Sequence, residues 1–400
     1  MERNIIHMDL DSFFVSVECL RNSKLKGKAI AIGGTGDRGV IASCSYEARK
    51  FGVRSAMPVK LAKQLCPQLM VISGDMEQYS KYSQLVTEVI KDSSPLFEKS
   101  SIDEFYIDAS GMDKYFGCFK WGSELRQRII TETGLPISFG LSVNKMVSKV
   151  ATGIAKPNNS RHVERGTEKA FLAPLPITKI PMIGSKTASL LTSMGIDRVG
   201  TLREMPIDLL QNLLGKNGIE LWRRANAIDD TPVVPFSERK SISTENTFSQ
   251  DTIDIKMLKS LMCYMVEEIA FKLRSEQKMA SSITVKIRYS NFDTLTKQSQ
   301  ISYTSSDNVL IPKALELFDK LYDKRMLIRL IGVRLSNLVH GNHQISLFND
   351  TEEAINLCQA MDLIKNKYGF DKINRAVGAG LDSKLKPDTS ELTRLRYTKQ

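Results

Sequence analysis

The sequence predicts an α+β protein built from several domains. Segments of strand-like composition alternate with helix-patterned segments through residues 1–165, and short helices separated by glycines follow without strands. A second unit of strands and helices begins after the proline-containing residues 231–240. Because 400 residues exceed what one hydrophobic core usually supports, about two to four domains are expected.

The first unit opens with an apolar, β-branched run that predicts a strand. Apolar residues in the segment around Leu61 recur at helical spacing, and glycines close the strand that ends at Gly34. In chain order, strands are predicted at residues 1–11, 29–34, 39–43, 100–108 and 136–142, and helices at residues 13–20, 46–50, 58–66, 78–93, 120–131 and 145–154. This alternation favours a sheet with antiparallel character that is covered by helices.

Two adjacent carboxylates, Asp103 and Glu104, lie inside a β-branched and aromatic run. Unpaired charges are costly to bury, so a cation is expected beside them. Neighbouring side chains of a regular strand point to opposite faces, and both acids can share one cation only at a strand end, a bulge or a hairpin apex. If the first strand pairs with this one, its polar end, which contains Asp9 and Asp11, supplies a third carboxylate, and three acids suit two hard divalent cations. The alternative is a pair of solvated acids at a strand end.

The second half of the chain changes composition at residues 174–176. Glycines separate the short helices that follow, and two prolines in residues 231–240 predict an extended linker. Beyond it, strands are predicted at residues 281–289 and 328–338, and helices at residues 257–273 and 313–322.

Charge and composition narrow the functional classes. Lysine and arginine number 56 against 45 aspartates and glutamates, a net charge of +11 that favours polyanionic partners; solubility alone is the alternative. No apolar run long enough to span a membrane occurs, so a cytoplasmic protein without membrane contact is expected. Six cysteines without C-x-x-C spacing support neither a disulfide framework nor a zinc site.

Five motifs in fixed order carry a resemblance to a known family: residues 7–14, 45–53, 101–104, 140–145 and 155–158. This series resembles the Y family of translesion DNA polymerases, closest to its DNA polymerase IV (DinB-like) branch. The resemblance implies a right-hand polymerase with a ferredoxin-like palm, small fingers, a helical thumb with a helix-hairpin-helix, and an α/β little finger. The implied boundaries are palm 1–10 and 76–165, fingers 11–75, thumb 166–231, linker 232–240, little finger 241–341 and tail 342–400.

The resemblance also implies the activity. The chain would be a template-directed DNA polymerase that inserts deoxynucleotides opposite damaged bases with low fidelity. Two Mg²⁺ ions would assist transfer from dNTP to the primer 3′-OH, held by the catalytic residues Asp9, Asp103 and Glu104 and by the Leu10 carbonyl. The family does not use the positions of Asp11 and Asp108 as metal ligands, so neither is included.

Nucleotide contacts are implied for four residues, Ser43, Tyr46, Arg49 and Lys156. Tyr46 and Arg49 are three apart and share a face if helical, and the family uses such a pair on the β- and γ-phosphates. The alternative for each is an ordinary surface cation or a packed tyrosine. Phe14 is the implied steric gate, which excludes a ribose 2′-hydroxyl by bulk; its alternative is core packing.

Duplex DNA contacts are implied for two segments. Residues 175–188 resemble a helix-hairpin-helix, in which a glycine lets backbone amides approach a phosphate; such turns are also common in helical bundles. The predicted DNA-binding residues are Ile183, Gly184, Ser185 and Lys186 in the hairpin and Ser241, Ser243 and Thr244 in the first strand of the little finger.

Residues 344–348 have the Q-x-x-L-F form of a sliding-clamp-binding peptide, with Gln344, Leu347 and Phe348 as anchors. The family often ends its chain on this motif, whereas residues 349–400 follow it here. The implied partners are primer-template DNA, dNTP and a sliding clamp, and the chain is expected to be a monomer.

Two rival functions remain. An inactive relative would only hold DNA or the clamp, and the intact acidic set of Asp9, Asp103 and Glu104 argues against it. A nucleotide cyclase can share a palm-like sheet with metal-binding acids, and the helical hairpin and the extra C-terminal domain, needless for a small substrate, argue against that.

Overall fold

The computed structural model describes residues 3–34, 36, 38–94, 96–112, 117–235, 238–322, 325–341 and 351–376. The chain forms two compact units, Met1–Ser237 and Glu238–Gln400. Their division falls inside the stretch predicted as the linker, and the finer domain boundaries remain predictions. Across the described ranges, no helix is long and apolar enough to cross a bilayer.

The first unit contains three groups of elements. They are β1 (Ile5–Leu10), α1 (Phe13–Arg21), β2 (Ile30–Gly33), β3 (Ile41–Cys44), α2 (Tyr46–Lys50), α3 (Val59–Leu65), β4 (Met70–Ile72), α4 (Met76–Ser93), β5 (Phe97–Lys99), β6 (Glu104–Asp108), α5 (Cys118–Thr133), β7 (Ile137–Ser142), α6 (Lys145–Ala155), β8 (Ser160–His162), α7 (Glu168–Leu172), α8 (Ser185–Ser193), α9 (Val199–Glu204), α10 (Ile207–Leu214) and α11 (Lys216–Ala225).

A five-stranded sheet in the order β5-β6-β1-β7-β8 organises the first group. Strand β1 pairs antiparallel with both β6 and β7, and its apolar side chains are buried because helices cover the sheet. One face packs on residues of α1, α4 and α5 in a single core. The sheet therefore fixes β1 at its centre, with the polar end of the strand at one edge of the core.

Helix α6 lies against the other face of the sheet. A Cβ at Gly140 of β7 would stand 2.4 Å from the Ser148 carbonyl oxygen, so the glycine permits this close approach. The Ser148 hydroxyl donates to the Ile5 carbonyl at 2.7 Å, and the Thr152 hydroxyl donates to the His7 carbonyl at 2.9 Å. These contacts hold α6 in a fixed register beside β1.

The second group is a three-stranded sheet, β3-β2-β4, with α2 and α3 packed on it. The Ser45 hydroxyl accepts a hydrogen bond from the Ile30 amide at 3.0 Å and another from the Ala48 amide at 3.2 Å. Ser45 thus caps α2 and ties its start to the sheet. The third group, α7 to α11, is helical, as the glycine-separated stretch predicts, and packs around a core that also contains residues of α6.

The second unit is an antiparallel sheet backed by two helices. Its elements are β9 (Ser241–Thr252), α12 (Ile255–Ser275), β10 (Lys278–Tyr289), β11 (Thr294–Thr304), α13 (Asp307–Leu321), β12 (Ile328–His340) and α14 (Thr351–Tyr368). The strand order is β11-β10-β12-β9, and α12 and α13 share one core with the sheet. The α+β class predicted from the sequence is confirmed in both units.

The described part of the tail docks on α12. Arg274 donates from Nε and Nη2 to the two Asp362 carboxylate oxygens, at 2.6 and 2.8 Å. Phe370 is buried between the rings of Tyr264 and Phe271, with centroids 5.5 and 5.6 Å away. The Tyr264 hydroxyl donates to Asp371 at 2.7 Å. An aromatic anchor and a bidentate ion pair therefore hold residues 351–376 within the second unit.

Replacing Phe370 by alanine is expected to weaken this docking. Truncating a buried phenylalanine typically costs about 3–5 kcal/mol, and the contact of Phe370 with α12 would be lost. Hydrogen exchange over residues 351–376 would then speed up, while exchange in β10 stays slow. Leu363→Ala is the matched control, because Leu363 on the same tail helix is 70% exposed. Unchanged protection of the tail in the Phe370 variant would contradict this account.

Candidate active site

The three predicted carboxylates meet where β1 and β6 pair. In the antiparallel register, Asp9 stands directly opposite Glu104. Asp103 lies in the loop of the β5–β6 hairpin, where the Ser100 amide donates to the Glu104 carbonyl at 3.0 Å. The Leu10 amide donates to the Asp103 carbonyl at 3.0 Å and so extends the pairing to that residue. The predicted strand pairing and the predicted bend at a hairpin apex are both confirmed.

Each carboxylate has its own polar partner. Lys156 Nζ lies 2.5 Å from Asp9 Oδ1, and Lys149 Nζ donates to both Glu104 oxygens at 2.6 Å. The Ser101 hydroxyl donates to Asp103 at 2.6 Å. A cation thus lies beside Glu104, the ammonium group of Lys149, which was not predicted from the sequence, whereas Lys156 pairs with Asp9.

Burial sets the protonation behaviour of Asp9. The pKa of Asp9 is raised to about 6, chiefly by desolvation; the charge and hydrogen bond of Lys156 lower it, and the charges of Glu104 and Asp103 raise it. Mutual repulsion among these acids shows that they share one electrostatic environment. Extra positive charge at this position would stabilise the ionised form of Asp9.

The donor set has the chemistry of a divalent-cation site. Carboxylates and a backbone carbonyl are the hard oxygen donors that Mg²⁺ prefers. Within the described ranges, no three His, Cys, Asp or Glu side chains are arranged as a ready metal-binding group. The acids face their lysine and serine partners instead, so cation binding would require Asp9 and Glu104 to exchange those ion pairs for metal contacts.

A cavity of about 180 Å³ adjoins these acids. Residues from four segments of the chain line it. They include four of the five residues predicted as nucleotide contacts or as the steric gate. Phe14, Ser43, Arg49 and Lys156 line it together with Asp9 and Asp103, whereas Tyr46 does not. Its lining also contains Leu10, Ser12, Phe13, Ala42 and Ser55.

Tyr46 and Arg49 share one face of α2, as predicted. The Arg49 guanidinium stands over the Tyr46 ring, 4.9 Å from its centroid. The Tyr46 hydroxyl donates to Asp11 Oδ1 at 3.1 Å, and burial raises the pKa of Tyr46. In this structure Arg49 faces the cavity and Tyr46 holds α2 to the end of β1.

Asp11 is a structural hub that the sequence analysis did not identify. It is 2% exposed, and besides Tyr46 it accepts hydrogen bonds from the Ser138 hydroxyl at 2.8 Å and the Asn158 amide at 2.7 Å. These bonds join β1, α2, β7 and the loop after Lys156. The carboxylate is thereby satisfied by the protein itself.

Asp11→Ala is expected to lower the free energy of unfolding by about 2–4 kcal/mol, because three donors, of which the Ser138 hydroxyl is fully buried, would lose their acceptor. Chemical denaturation monitored by circular dichroism measures this. Asp108→Ala serves as the comparison, since Asp108 accepts only a local bond from the Ser110 amide at 2.9 Å among the side-chain hydrogen bonds described for it. Equal stability of the two variants would argue against the hub.

Phe14 is held by a ring that the sequence analysis did not single out. Phe14 and Tyr79 of α4 stack with centroids 4.3 Å apart and planes at 14°. The Tyr79 hydroxyl donates to Glu18 at 2.8 Å, which fixes the tyrosine against α1. Phe13 is buried in the core, as expected. Phe14 is thus a positioned wall of the cavity and not part of the core interior.

The predicted DNA-binding residues lie on two surfaces. In the first unit, Ile183 and Gly184 precede α8, whose first residues Ser185 and Lys186 are exposed. In the second unit, Ser241, Ser243 and Thr244 lie on β9, the strand at one edge of its sheet. The predicted clamp peptide, with Gln344, Leu347 and Phe348, lies outside the described residues.

Comparisons with known proteins agree with this arrangement. The sequence matches the impB/mucB/samB family over residues 8–153, the C-terminal domain of that family over residues 239–347, and the HHH motif of the IMS family over residues 165–196. A DNA polymerase IV of Dehalococcoides mccartyi (strain CBDB1) is 39% identical over 375 residues, which cover 93% of this chain and 96% of that protein. A DNA polymerase IV of Treponema denticola is 36% identical, over 84% of this chain and 86% of its own.

A solved structure shares the fold. A Y-family DNA polymerase chimera superposes with a TM-score of 0.77 at 27% identity, over 84% of this chain and 100% of the chimera. The family resemblance and the right-hand polymerase fold predicted from the motifs are therefore confirmed. The chain belongs to the impB/mucB/samB family, within the DNA polymerase IV branch of the Y family of DNA polymerases.

Proposed function

We propose that the chain is a template-directed DNA polymerase that extends primers with deoxynucleotides and does so opposite damaged template bases. The observation that carries this is the meeting of Asp9 and Glu104 on two paired strands, with Asp103 in the adjoining hairpin, beside a cavity lined by Asp9, Asp103, Phe14 and Arg49. DNA polymerase IV relatives that match most of the chain support the same activity. The proposed products are an extended primer and pyrophosphate.

Asp9, Asp103, Glu104 and the Leu10 carbonyl are proposed to hold two Mg²⁺ ions. Two such ions, when bound, supply charge stabilisation for both the attacking and the leaving oxygens of phosphoryl transfer. These donors suit Mg²⁺ because they are hard oxygens. The pKa of Asp9 is raised, and additional positive charge would lower it and stabilise the carboxylate.

Basic and polar groups that line the cavity are proposed to hold the triphosphate. Arg49 lines the cavity from α2, and Ser43 offers a hydroxyl from β3. Lys156 pairs with Asp9 in the structure, and the same ammonium group is proposed to move to a phosphate once the acids bind metal. Tyr46, whose hydroxyl donates a hydrogen bond to Asp11, is proposed to assist in holding the triphosphate.

Low fidelity is proposed to follow from small side chains on β3. Ala42 and Ser43 line the cavity at the position proposed for the nascent base pair. Little bulk there leaves room for a damaged base and checks pair geometry weakly. We further propose the right-hand boundaries given above, a monomer in the cytoplasm, duplex contacts through Ile183 to Lys186 and through β9, and clamp binding through residues 344–348.

Primer extension tests this function directly. Wild type and the double variant Asp103→Ala, Glu104→Ala would be given a labelled primer, an undamaged template, Mg²⁺ and four deoxynucleotides. Extension by wild type alone, with equal DNA binding by both proteins, is the expected result. Templates with a single lesion follow as the second step. DNA binding without extension by either protein would favour the inactive scaffold instead.

A further inference from the structure

The hairpin before α8 contains a non-glycine residue, Met182, with a positive φ. The Ile183 amide donates to the Ile180 carbonyl at 3.3 Å and closes a four-residue turn with Pro181 in second position and Met182 in third. Met182 has a φ of +74°, the left-handed region. Turns with proline second and positive φ third favour glycine or asparagine in third position, because other side chains are strained there. A methionine at this point costs stability.

The neighbouring structure holds the turn in this conformation. Arg224 Nη1 of α11 donates to the Pro181 carbonyl at 2.8 Å. Ile180 is buried in the helical core, and Ile183 packs against it. Met182 itself is 74% exposed. The fold thus fixes the backbone of the turn while the methionine side chain points away from its own core.

Met182 lies at the edge of the acidic site. It lines a cavity of about 340 Å³ with Asp9, Lys149, Lys156 and Lys179. Its three lysines would attract a polyanion once Asp9 and Glu104 exchange Lys156 and Lys149 for metal contacts, and Asp9 places one end of the groove at the proposed point of chemistry. An exposed, flexible apolar side chain beside such lysines suits a ligand that carries both phosphates and apolar surface.

We propose that Met182 packs against the deoxyribose groups of the primer strand near its 3′ end. The inference rests on the proposed function: the groove ends at Asp9, so it offers a path along which a primer would bring its 3′-OH to the proposed metal site. Phosphates would face Lys149 and Lys179, since Lys156 is proposed to bind the triphosphate, and the sugar carbons are the apolar surface that a DNA strand offers beside them. Methionine is among the side chains that proteins use as apolar contacts in DNA grooves. The strained turn presents it there.

Equilibrium binding to a fluorescent primer-template across a series of salt concentrations tests the contact. Met182→Gly removes the side chain and suits the positive φ, so its Tm should equal or exceed that of wild type. Its Kd should rise about three- to tenfold, and the slope of log Kd against log salt should not change, since no phosphate contact is lost. Met182→Leu keeps an apolar side chain and should retain most of the affinity.

Two controls separate this contact from general effects. Lys179→Ala should weaken binding and also reduce the salt slope, by up to about 0.9 if it contacts one phosphate. Met194→Ala removes another exposed methionine, which follows the opposite end of α8 from the turn, and should leave Kd unchanged.

The outcomes distinguish the contact from the function. Unchanged DNA affinity in Met182→Gly, or a reduced salt slope like that of Lys179→Ala, would overturn the proposed contact while wild-type primer extension leaves the polymerase function intact. If wild type neither binds primer-template nor extends it, the proposed function fails and the contact fails with it.

Discussion

Asp9→Asn is expected to lower kcat for primer extension by at least about 10³-fold, because removing a charged oxygen donor from a transition-state-stabilising site costs several kcal/mol. Asparagine has nearly the same size, so β1 and its pairing with β6 should persist. Lys156 would keep the Leu10 carbonyl, 3.3 Å from its Nζ, as a hydrogen-bond acceptor. The loss should therefore fall on chemistry and leave Tm and DNA affinity near the wild-type values.

Single-turnover extension measures the chemical step in this variant, and anisotropy measures DNA binding. Asp108→Asn is the matched control, since Asp108 lies at the far end of β6 from Glu104. It should extend primers at the wild-type rate. Comparable rates for Asp9→Asn and wild type would show that Asp9 is not a metal ligand. The metal site would then not be built from residues of both strands.

The sequence predicts the acidic site well because its geometry follows from short-range rules. Asp103 and Glu104 can converge only where the strand bends, and the bend is found at the β5–β6 hairpin. Pairing of that strand with the first one brings Asp9 opposite Glu104. Strand periodicity and the cost of buried charge predicted the bend and the pairing, whereas the choice of Asp9 over Asp11 came from the family resemblance.

The partners of the predicted residues could not be derived in the same way. Lys149 and Tyr79 reach the site from helices whose register on the sheet depends on contacts far apart in sequence, such as the approach of α6 at Gly140. Asp11 follows Asp9 by two residues, and nothing in that spacing shows that one acid faces a cavity while the other accepts three hydrogen bonds. Such distinctions arise from packing.

Weakly apolar strands were also missed. Strand β11 contains mostly lysine, glutamine, serine and threonine, and its side chains are largely exposed at the edge of the sheet. An edge strand with one solvated face has little apolar periodicity to detect. The docking of the tail could not be predicted from the sequence, because its anchors on α12, Phe370 and Asp362, form pairs that only the fold brings together.

Phe14→Ala is expected to reduce discrimination against ribonucleotides by about 10²-fold or more, while deoxynucleotide use stays within a few-fold of wild type. A rigid aromatic wall rejects an added hydroxyl by shape, and pocket contacts of this kind are worth about 1–3 kcal/mol or more. The wall is rigid here because Phe14 stacks on Tyr79, which Glu18 holds in turn. Alanine leaves space where the phenyl ring stood.

The ratio of kcat/KM for a deoxynucleotide and its ribonucleotide counterpart measures this directly. Phe139→Leu is the matched control: Phe139 is fully buried in the same core and does not line the cavity, so its loss should lower Tm and leave sugar discrimination unchanged. Tyr79→Leu should relax discrimination partly, since Phe14 would remain but lose its stacking partner. Unchanged discrimination in Phe14→Ala would mean that this ring only packs. A loss confined to Tyr79→Leu would move the sugar contact to the tyrosine.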